Sequence, residues 1–520
     1  MIKNKLEFLK QKPYIIGLLI ILFILIMYLP AMNTFLIGDD FDWLNSGYSS
    51  WQDPSQLFRE INNFFRPMVK FTYLLDYTLF KTRAPFYNAT TLLIHLVNLF
   101  LLYFLLVKVT RRITPAALIT LVYGSSALYS EVPLWAAGRP DSLLLLFMLS
   151  TLILFYNLDE KKQIFRYPGI FFFTLCAAGS KVTWILLPFL AVGLLWLVKQ
   201  RPLKTTLKST LGIFVLMAAY VSYFIILPKL SGAAAFTSYG EMTVAAAIKK
   251  FSYLVFKYVG LAEASTGALW QIALTAVVLA ALTYWLIRRK NRLALFGLLW
   301  MLMTIAISLP IFYAPSRYNY LPLLGFWIMI IAWLEKDIKD LINKFKIKNS
   351  IALPVIGVLI LFYLAHQVIM VQKEIRDYRQ IGAAHKMLIN MYLKVKDQIP
   401  QHRPVVFINL GKRRALDELN RSLQGYRKLL FPRKDAVWQM IFIASLANFV
   451  GNPFSTLMKP VPAAELDTVF QQDFTTLVFT DNGFFLSDAH AKTIRDFYRQ
   501  NRQLPDKVQA LRFVPVSASK

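Results

Sequence analysis

The stretch that decides how this chain folds is Pro13–Trp43, "PYIIGLLIILFILIMYLPAMNTFLIGDDFDW". From Pro13 to Gly38 it carries no charged side chain, and then Asp39, Asp40 and Asp42 fall within four positions. A run of this length suits a bilayer crossing, which takes about 20 residues. No small-residue cleavage site follows it, so it reads as a retained helix rather than a signal peptide. The acids then stand where the chain leaves the bilayer.

The rest of the sequence repeats the first half of that pattern. The 520 residues are 57% hydrophobic and 15% aromatic, with a formal charge of +29 and a mean hydropathy of +0.48, more apolar than one soluble core requires. Further apolar runs lie at about 86–107, 113–130, 141–157, 168–180, 182–198, 208–227, 269–287, 293–313, 320–334 and 351–370. With the first they predict a mainly α, polytopic membrane protein of about 11 transmembrane helices. The one cysteine, Cys176, sits in an apolar run and excludes a disulfide framework or a cysteine metal site.

Lys and Arg in the connections orient the helices. The segments holding Lys3 to Lys12, Lys108 to Arg112, Lys161 to Arg166, Lys199 to Lys208, Arg288 to Arg292 and Lys336 to Lys348 all fall on one side. Basic residues distributed in this way indicate a cytoplasmic N-terminus, not a nucleic-acid partner. The chain therefore divides into a transmembrane domain over 1–370, with long outer loops at about 32–85 and 228–268, and a tail over 371–520. An odd number of spans puts the tail outside the cell membrane, the bacterial inner membrane being the expected location. In the tail, "PVVFINL" (404–410) and "TTLVFTDNGFFLSD" (475–488) read as strands and "ALDELNRSLQGYRKLL" (415–430) as an amphipathic helix, predicting a small α/β domain. Its basic balance favours anionic headgroups or an anionic glycan.

This topology collects charges on the outer face. The first outer loop brings Asp39, Asp40 and Asp42, and "FFRPMVKFTYLLDYTLF" (64–80) has the spacing of an interfacial helix carrying Arg66, Lys70 and Asp76. "SEVPLWAAGRPD" brings Glu131, Arg139 and Asp141; the hairpin tip "GSK" brings Lys181; "APSRYNYLP" brings Arg317, Tyr318 and Tyr320. Carboxylates and guanidinium groups at a membrane edge suit a substrate with a charged head and a lipid tail. His95 and Asn98, one turn apart on the second span, suit bonds between helices.

The blocks "FRPMVKFTYLLDYTLFKTRAPFYNATTLLIHLVNLFLLYFLL", "EVPLWAAGRPDSLLLLFML" and "SRYNYLPLLGF" resemble, in order and over about residues 13–334, the transmembrane and tetratricopeptide-repeat O-mannosyltransferases and their bacterial relatives. More broadly they resemble the GT-C class of polytopic glycosyltransferases, including the protein O-mannosyltransferases and the lipid A aminoarabinose transferase. The chain departs from the pattern in two places. No 34-residue repeat follows residue 371, and "SKV" puts Val182 where the relatives carry a glutamate.

The resemblance implies a polyprenyl-phosphate sugar donor, used on the outer face, and a hydroxyl acceptor on a glycan, a lipid or a protein. One carboxylate, Asp39 or Asp40, would deprotonate the acceptor, and in-line attack would invert the sugar carbon. Arg317, with Lys181 and Arg139 behind it, would take the phosphate. Tyr318, Tyr320, Arg66, Glu131 and Asp141 complete the candidates. No metal is assigned. Paired aspartates suit Mg²⁺ or Mn²⁺, but the cations already supply the neutralising charge. Two other readings compete: a transporter or flippase for a lipid-linked glycan, and an inactive relative that only binds glycan. Neither midplane charges nor repeated halves support the first, and the intact "DD" and "RYNYLP" oppose the second. At the residue level, the acids compete with a solvated helix end, Arg317 with an interfacial anchor, and Glu131 and Asp141 with simple partners for Arg139.

Overall fold

The computed structural model describes residues 13–60, 64–158, 166–227, 243–261, 268–310, 315–344, 349–393, 405–409, 456–460, 466–471, 475–480, 483–486, 491–501 and 508–515. Its helices are α1 (Pro13–Tyr28), α2 (Asp40–Gln52), α3 (Pro67–Phe80), α4 (Ala84–Thr110), α5 (Ile113–Gly124), α6 (Arg139–Tyr156), α7 (Tyr167–Ala178), α8 (Val182–Val198), α9 (Leu203–Val221), α10 (Val244–Tyr258), α11 (Leu269–Arg288), α12 (Arg292–Ala306), α13 (Tyr320–Lys344), α14 (Asn349–Leu393), α15 (Leu466–Gln471) and α16 (Ala491–Asn501). The chain is an integral membrane protein, mainly α, with a small α/β portion at its C-terminal end.

Each expected span coincides with one of these helices, but not all of them are long enough to cross. Seven, beginning at Pro13, Ala84, Ala136, Leu203, Leu269, Ser316 and Pro354, have the length and composition to cross a membrane. The other four, α5, α7, α8 and α12, have 10–17 residues. At about 1.5 Å per residue they fall short of a hydrocarbon core of about 30 Å. The run expected over 113–130 is cut at Gly124, where Ser125 and Ser126 start a turn: Ser125 N bonds the Leu121 carbonyl, and the Ser126 hydroxyl caps Leu128 N at 3.4 Å. The run expected to stop at 370 continues as helix to Leu393. The segment expected as the first outer loop is also structured, holding α2 and α3, the latter starting at Pro67, where a proline costs no hydrogen bond.

Two compact units divide the chain. The first comprises Met1–Pro30, Phe58–Val69 and Ala89–Glu374. Within it α12 and α13 cross at two glycines: a Cβ on Gly297 would collide with Met329 N, and one on Gly325 with Met301 N. Small residues let membrane helices approach this closely, and the Trp300 indole seals the crossing by donating to the Leu321 carbonyl at 3.0 Å. Because the obstructing atoms are backbone, Gly325→Val is expected to cost more than the usual 1–3 kcal/mol or so of overpacking. The check is the yield of monodisperse protein in detergent, which should collapse for Gly325→Val and persist for Gly357→Val, where a Cβ meets open space.

The second unit comprises Ala31–Leu57, Lys70–Asn88 and Ile375–Lys520. Its sheet, β1 (Val405–Asn409), β2 (Thr456–Pro460), β3 (Thr475–Thr480), β4 (Gly483–Leu486) and β5 (Val508–Pro515), has the order β2-β5-β1-β3-β4. β1 and β3 run parallel, and every other pairing is antiparallel. Both strand stretches expected in the tail are found, the second as the β3–β4 hairpin. The helix expected over 415–430 lies outside the described residues.

Candidate functional site

In the first unit, α6 starts with charge at a buried position. Arg139 is 0% exposed and Asp141 4%, and burying ions costs several kcal/mol each unless partners compensate. Gly138 makes the approach possible: a Cβ there would lie 2.8 Å from Val132 Cα and from the Val132 carbonyl. Arg139 Nε donates to Thr91 Oγ1 at 3.1 Å. Asp141 receives Lys181 Nζ at 2.5 Å, brought in by the α7–α8 hairpin tip. Met68 N docks that tip by donating to the Gly179 carbonyl at 3.0 Å, so Arg66, just ahead of α3, lies close enough for its charge to act on Lys181.

Glu131, 1% exposed, anchors the turn that carries Arg317. Its Oε2 accepts Ser316 Oγ at 2.9 Å and Arg317 N at 3.1 Å, and its Oε1 accepts Arg317 Nη1 at 2.9 Å. Asn319 closes the same turn by donating to the Leu128 and Ser316 carbonyls, and Tyr258 of α10 donates to its Oδ1 at 3.2 Å. Lys181 Nζ lies 4.6 Å from the Tyr318 ring centre, and the Arg317 guanidinium 5.2 Å from that of Trp135. The Arg317 guanidinium also lies 6.0 Å from the Tyr318 ring centre, so both cations approach Tyr318. The pairing that would have joined Glu131 and Asp141 to Arg139 is not the one found; each carboxylate serves a cation distant in sequence.

Beneath the turn, Tyr320 is fully buried rather than part of an interfacial belt. His95 Nδ1 lies 2.9 Å from its hydroxyl, and Asn98 donates to that hydroxyl at 3.1 Å and to the Ser142 carbonyl at 2.8 Å. The two polar residues of the second span therefore do bond between helices, fixing the start of α13 and with it Arg317.

Lys181 and Arg317 thus pair with Asp141 and Glu131, Arg139 stands two residues before Asp141 in the first turn of α6, and the charge of Arg66 reaches Lys181. Burial pushes Lys181 down from about 10.5 to about 8; Asp141 opposes the shift, while Arg66 and Arg317 add to it. Lys257 of α10 joins this neighbourhood, held low by burial and partly restored by Glu131 and Glu374. Lys257 falls in the second long loop, 228–268, that the sequence assigns to the same face as these charges, but nothing in the sequence singles it out as a phosphate-binding candidate. Among the described residues no three of His, Cys, Asp and Glu converge as metal ligands. The arrangement is suited to an oxyanion.

The second unit holds the opening aspartates, and they begin a helix. Asp40 is 1% exposed, and its Oδ2 accepts Ile37 N at 2.8 Å. Asp39 is exposed, and its carboxylate makes no capping bond. Acids at a helix start interact favourably with the macrodipole. α2 is held against α3 by Trp43 stacked on Tyr73, 5.9 Å between centroids, and by Gly47, where a Cβ would meet the Tyr73 carbonyl oxygen at 2.7 Å. On α3 the buried positions include Lys70, Tyr73, Asp76 and Tyr77, while Phe71, Leu75 and Leu79 are exposed. The exposed face of α3 is thus apolar and its buried face carries Lys70 and Asp76.

Among solved structures the chain is similar to ArnT from Cupriavidus metallidurans in the apo state, at 11% identity and a TM-score of 0.49, with 96% of this chain and 98% of that one covered. It is similar also to ArnT from the same organism bound to undecaprenyl phosphate, at 12% identity and a TM-score of 0.48, with 96% and 97% covered. No protein-family model matches the chain, and no curated protein matches it.

Proposed function

We propose that this protein is a GT-C-class glycosyltransferase that moves a sugar from a polyprenyl-phosphate donor to a hydroxyl acceptor at the outer face of the membrane, with inversion. The observation that carries the reading is the cluster of Arg317, Lys181 and Arg139 about the buried carboxylates Glu131 and Asp141, set at the ends of apolar helices where a lipid-linked phosphate would stand. The sequence blocks that resemble those of GT-C glycosyltransferases support it. In the reaction Asp39 or Asp40 takes the acceptor proton as the acceptor oxygen bonds to the sugar carbon, and the bond from that carbon to the phosphate oxygen breaks. The phosphate leaves with the electron pair, and Arg317, Lys181 and Arg139 stabilise it. The domain division at about 370, the cytoplasmic N-terminus and the extracytoplasmic tail belong to the same proposal.

The pH dependence of donor use tests it. Lys181 carries its charge only below about 8, so kcat/KM for the donor should show an alkaline limb, falling up to tenfold per unit above that pH. Stability should move the other way. The folded state binds fewer protons than the unfolded one between about 8 and 10.5, so this group makes unfolding harder as pH rises through that window. Loss of activity without loss of fold, with the alkaline limb removed in Lys181→Arg, is the expected result. An alkaline limb unchanged in that variant would take Lys181 out of the phosphate site.

A further inference from the structure

The last turn of α10 brings a further cation to the turn that carries Arg317. Leu261 N donates to the Phe256 carbonyl at 2.8 Å and Gly260 N to that of Lys257 at 3.1 Å, with Gly260 in the left-handed conformation at φ 81. This arrangement ends a helix and fixes its final residues. Tyr258 is buried, donates to Asn319 Oδ1 at 3.2 Å and packs its ring 5.8 Å from that of Phe326. Lys250, Leu254 and Lys257 follow one another at helical spacing on one face of α10. That face is turned inward: Leu254 is buried, and Lys250 Nζ donates to the Ser308 carbonyl at 2.6 Å. Lys257 is thus held beside the residue that grips Asn319, two positions from Arg317.

A carboxylate outside the sequence-derived candidates reaches the same neighbourhood. On α14, Tyr363 donates to the Val122 carbonyl at 3.3 Å, Gln367 Oε1 accepts Ala127 N at 2.8 Å, and Val371 is fully buried. Glu374 continues that row one turn farther along, and its charge, with that of Glu131, acts on Lys257. Glu131 already accepts from Ser316 and Arg317. Lys257 makes no ion pair or side-chain hydrogen bond with a described residue, and its side chain is partly exposed. Drawn toward two carboxylates but bonded to neither, its ammonium is left to an anion that comes from outside the protein. Arg317 is fixed by Glu131, whereas a lysine stem is flexible and carries a compact charge, suited to follow a phosphate whose charge grows as the sugar leaves.

We propose that Lys257 is a further binding residue for the donor phosphate, carried to the Arg317 turn by α10. The proposal rests on the transferase reading. Equilibrium binding of labelled polyprenyl phosphate to the full chain in neutral detergent, with polyprenol as the uncharged probe, tests both. Wild type should bind the phosphate more tightly than the alcohol. Lys257→Gln should weaken phosphate binding by at least about tenfold, the loss of one charged hydrogen bond, with polyprenol binding unchanged, and Lys257→Arg should keep most of the affinity. Lys250→Gln, about 10 Å away along the same face, should bind as wild type does. Burial already opposes the charge of Lys257, so Lys257→Gln should keep the wild-type Tm; Lys257→Met is a second neutral variant. Equal affinity of wild type for phosphate and alcohol overturns the transferase reading and the proposal together. With that discrimination intact in wild type, full phosphate affinity in both neutral variants overturns the proposal alone, and a lowered Tm beside it makes Lys257 a counter-charge for Glu131 and Glu374. A loss shared by polyprenol or by Lys250→Gln overturns it as well, assigning the effect to the packing of α10.

Discussion

Replacing Asp39 by Asn is expected to lower sugar transfer by about 10²- to 10⁴-fold, the range that a positioned general base supplies, while the protein stays folded and inserted. Asparagine keeps the shape and removes the basic oxygen. The fold has little to lose, because the Asp39 carboxylate is exposed and caps nothing, and the helix start forgoes at most about 1 kcal/mol of charge–dipole interaction. Asp40 provides the contrast. Its Oδ2 accepts Ile37 N at 2.8 Å, a bond that an asparagine carbonyl oxygen can still accept, and with Asp39 as the base Asp40→Asn should retain more activity per folded protein than Asp39→Asn. Initial rates of the two variants decide between them, and the reverse ranking would make Asp40 the base.

The second large effect is expected at Arg317. Removing its guanidinium takes away the proposed phosphate donor and leaves Glu131, 1% exposed, with its charge uncompensated. Breaking such a buried pair costs about 3–5 kcal/mol, so Arg317→Ala alone would confound binding with folding. Arg317→Ala combined with Glu131→Gln removes both charges, and the amide oxygen at position 131 can still accept from Ser316 Oγ and the backbone N–H at position 317. In that background donor KM should rise at least tenfold with kcat less affected. A donor KM equal to that of wild type would make Arg317 only the anchor of its turn.

The apolar helices were legible because the bilayer demands long runs without charge, and α1, α4 and α6 meet that demand locally. Their true lengths were less so. Nothing in the hydropathy of 113–130 marks Gly124 as the end of α5; Ser125 and Ser126 do so through backbone bonds. Pairing was the least legible level. The spacing of His95 and Asn98 announces bonds between helices, but their partner, Tyr320, lies 225 residues from His95. Glu131 and Arg317 are likewise 186 apart; local reading offered Arg139 instead because it is near in sequence. The aspartates show the same limit at close range. Asp39 and Asp40 are neighbours with opposite burial, because α2 begins between them and only Asp40 folds back onto Ile37.

The account rests most directly on whether the protein consumes a polyprenyl-phosphate sugar. The decisive measurement is sugar release from a panel of labelled polyprenyl-phosphate sugars by membranes containing wild type or Asp39→Asn, with cell-envelope acceptors present. Turnover of one donor by wild type, yielding free polyprenyl phosphate and lost in Asp39→Asn, is the predicted result. Turnover of none, or equal turnover by both proteins, would contradict it.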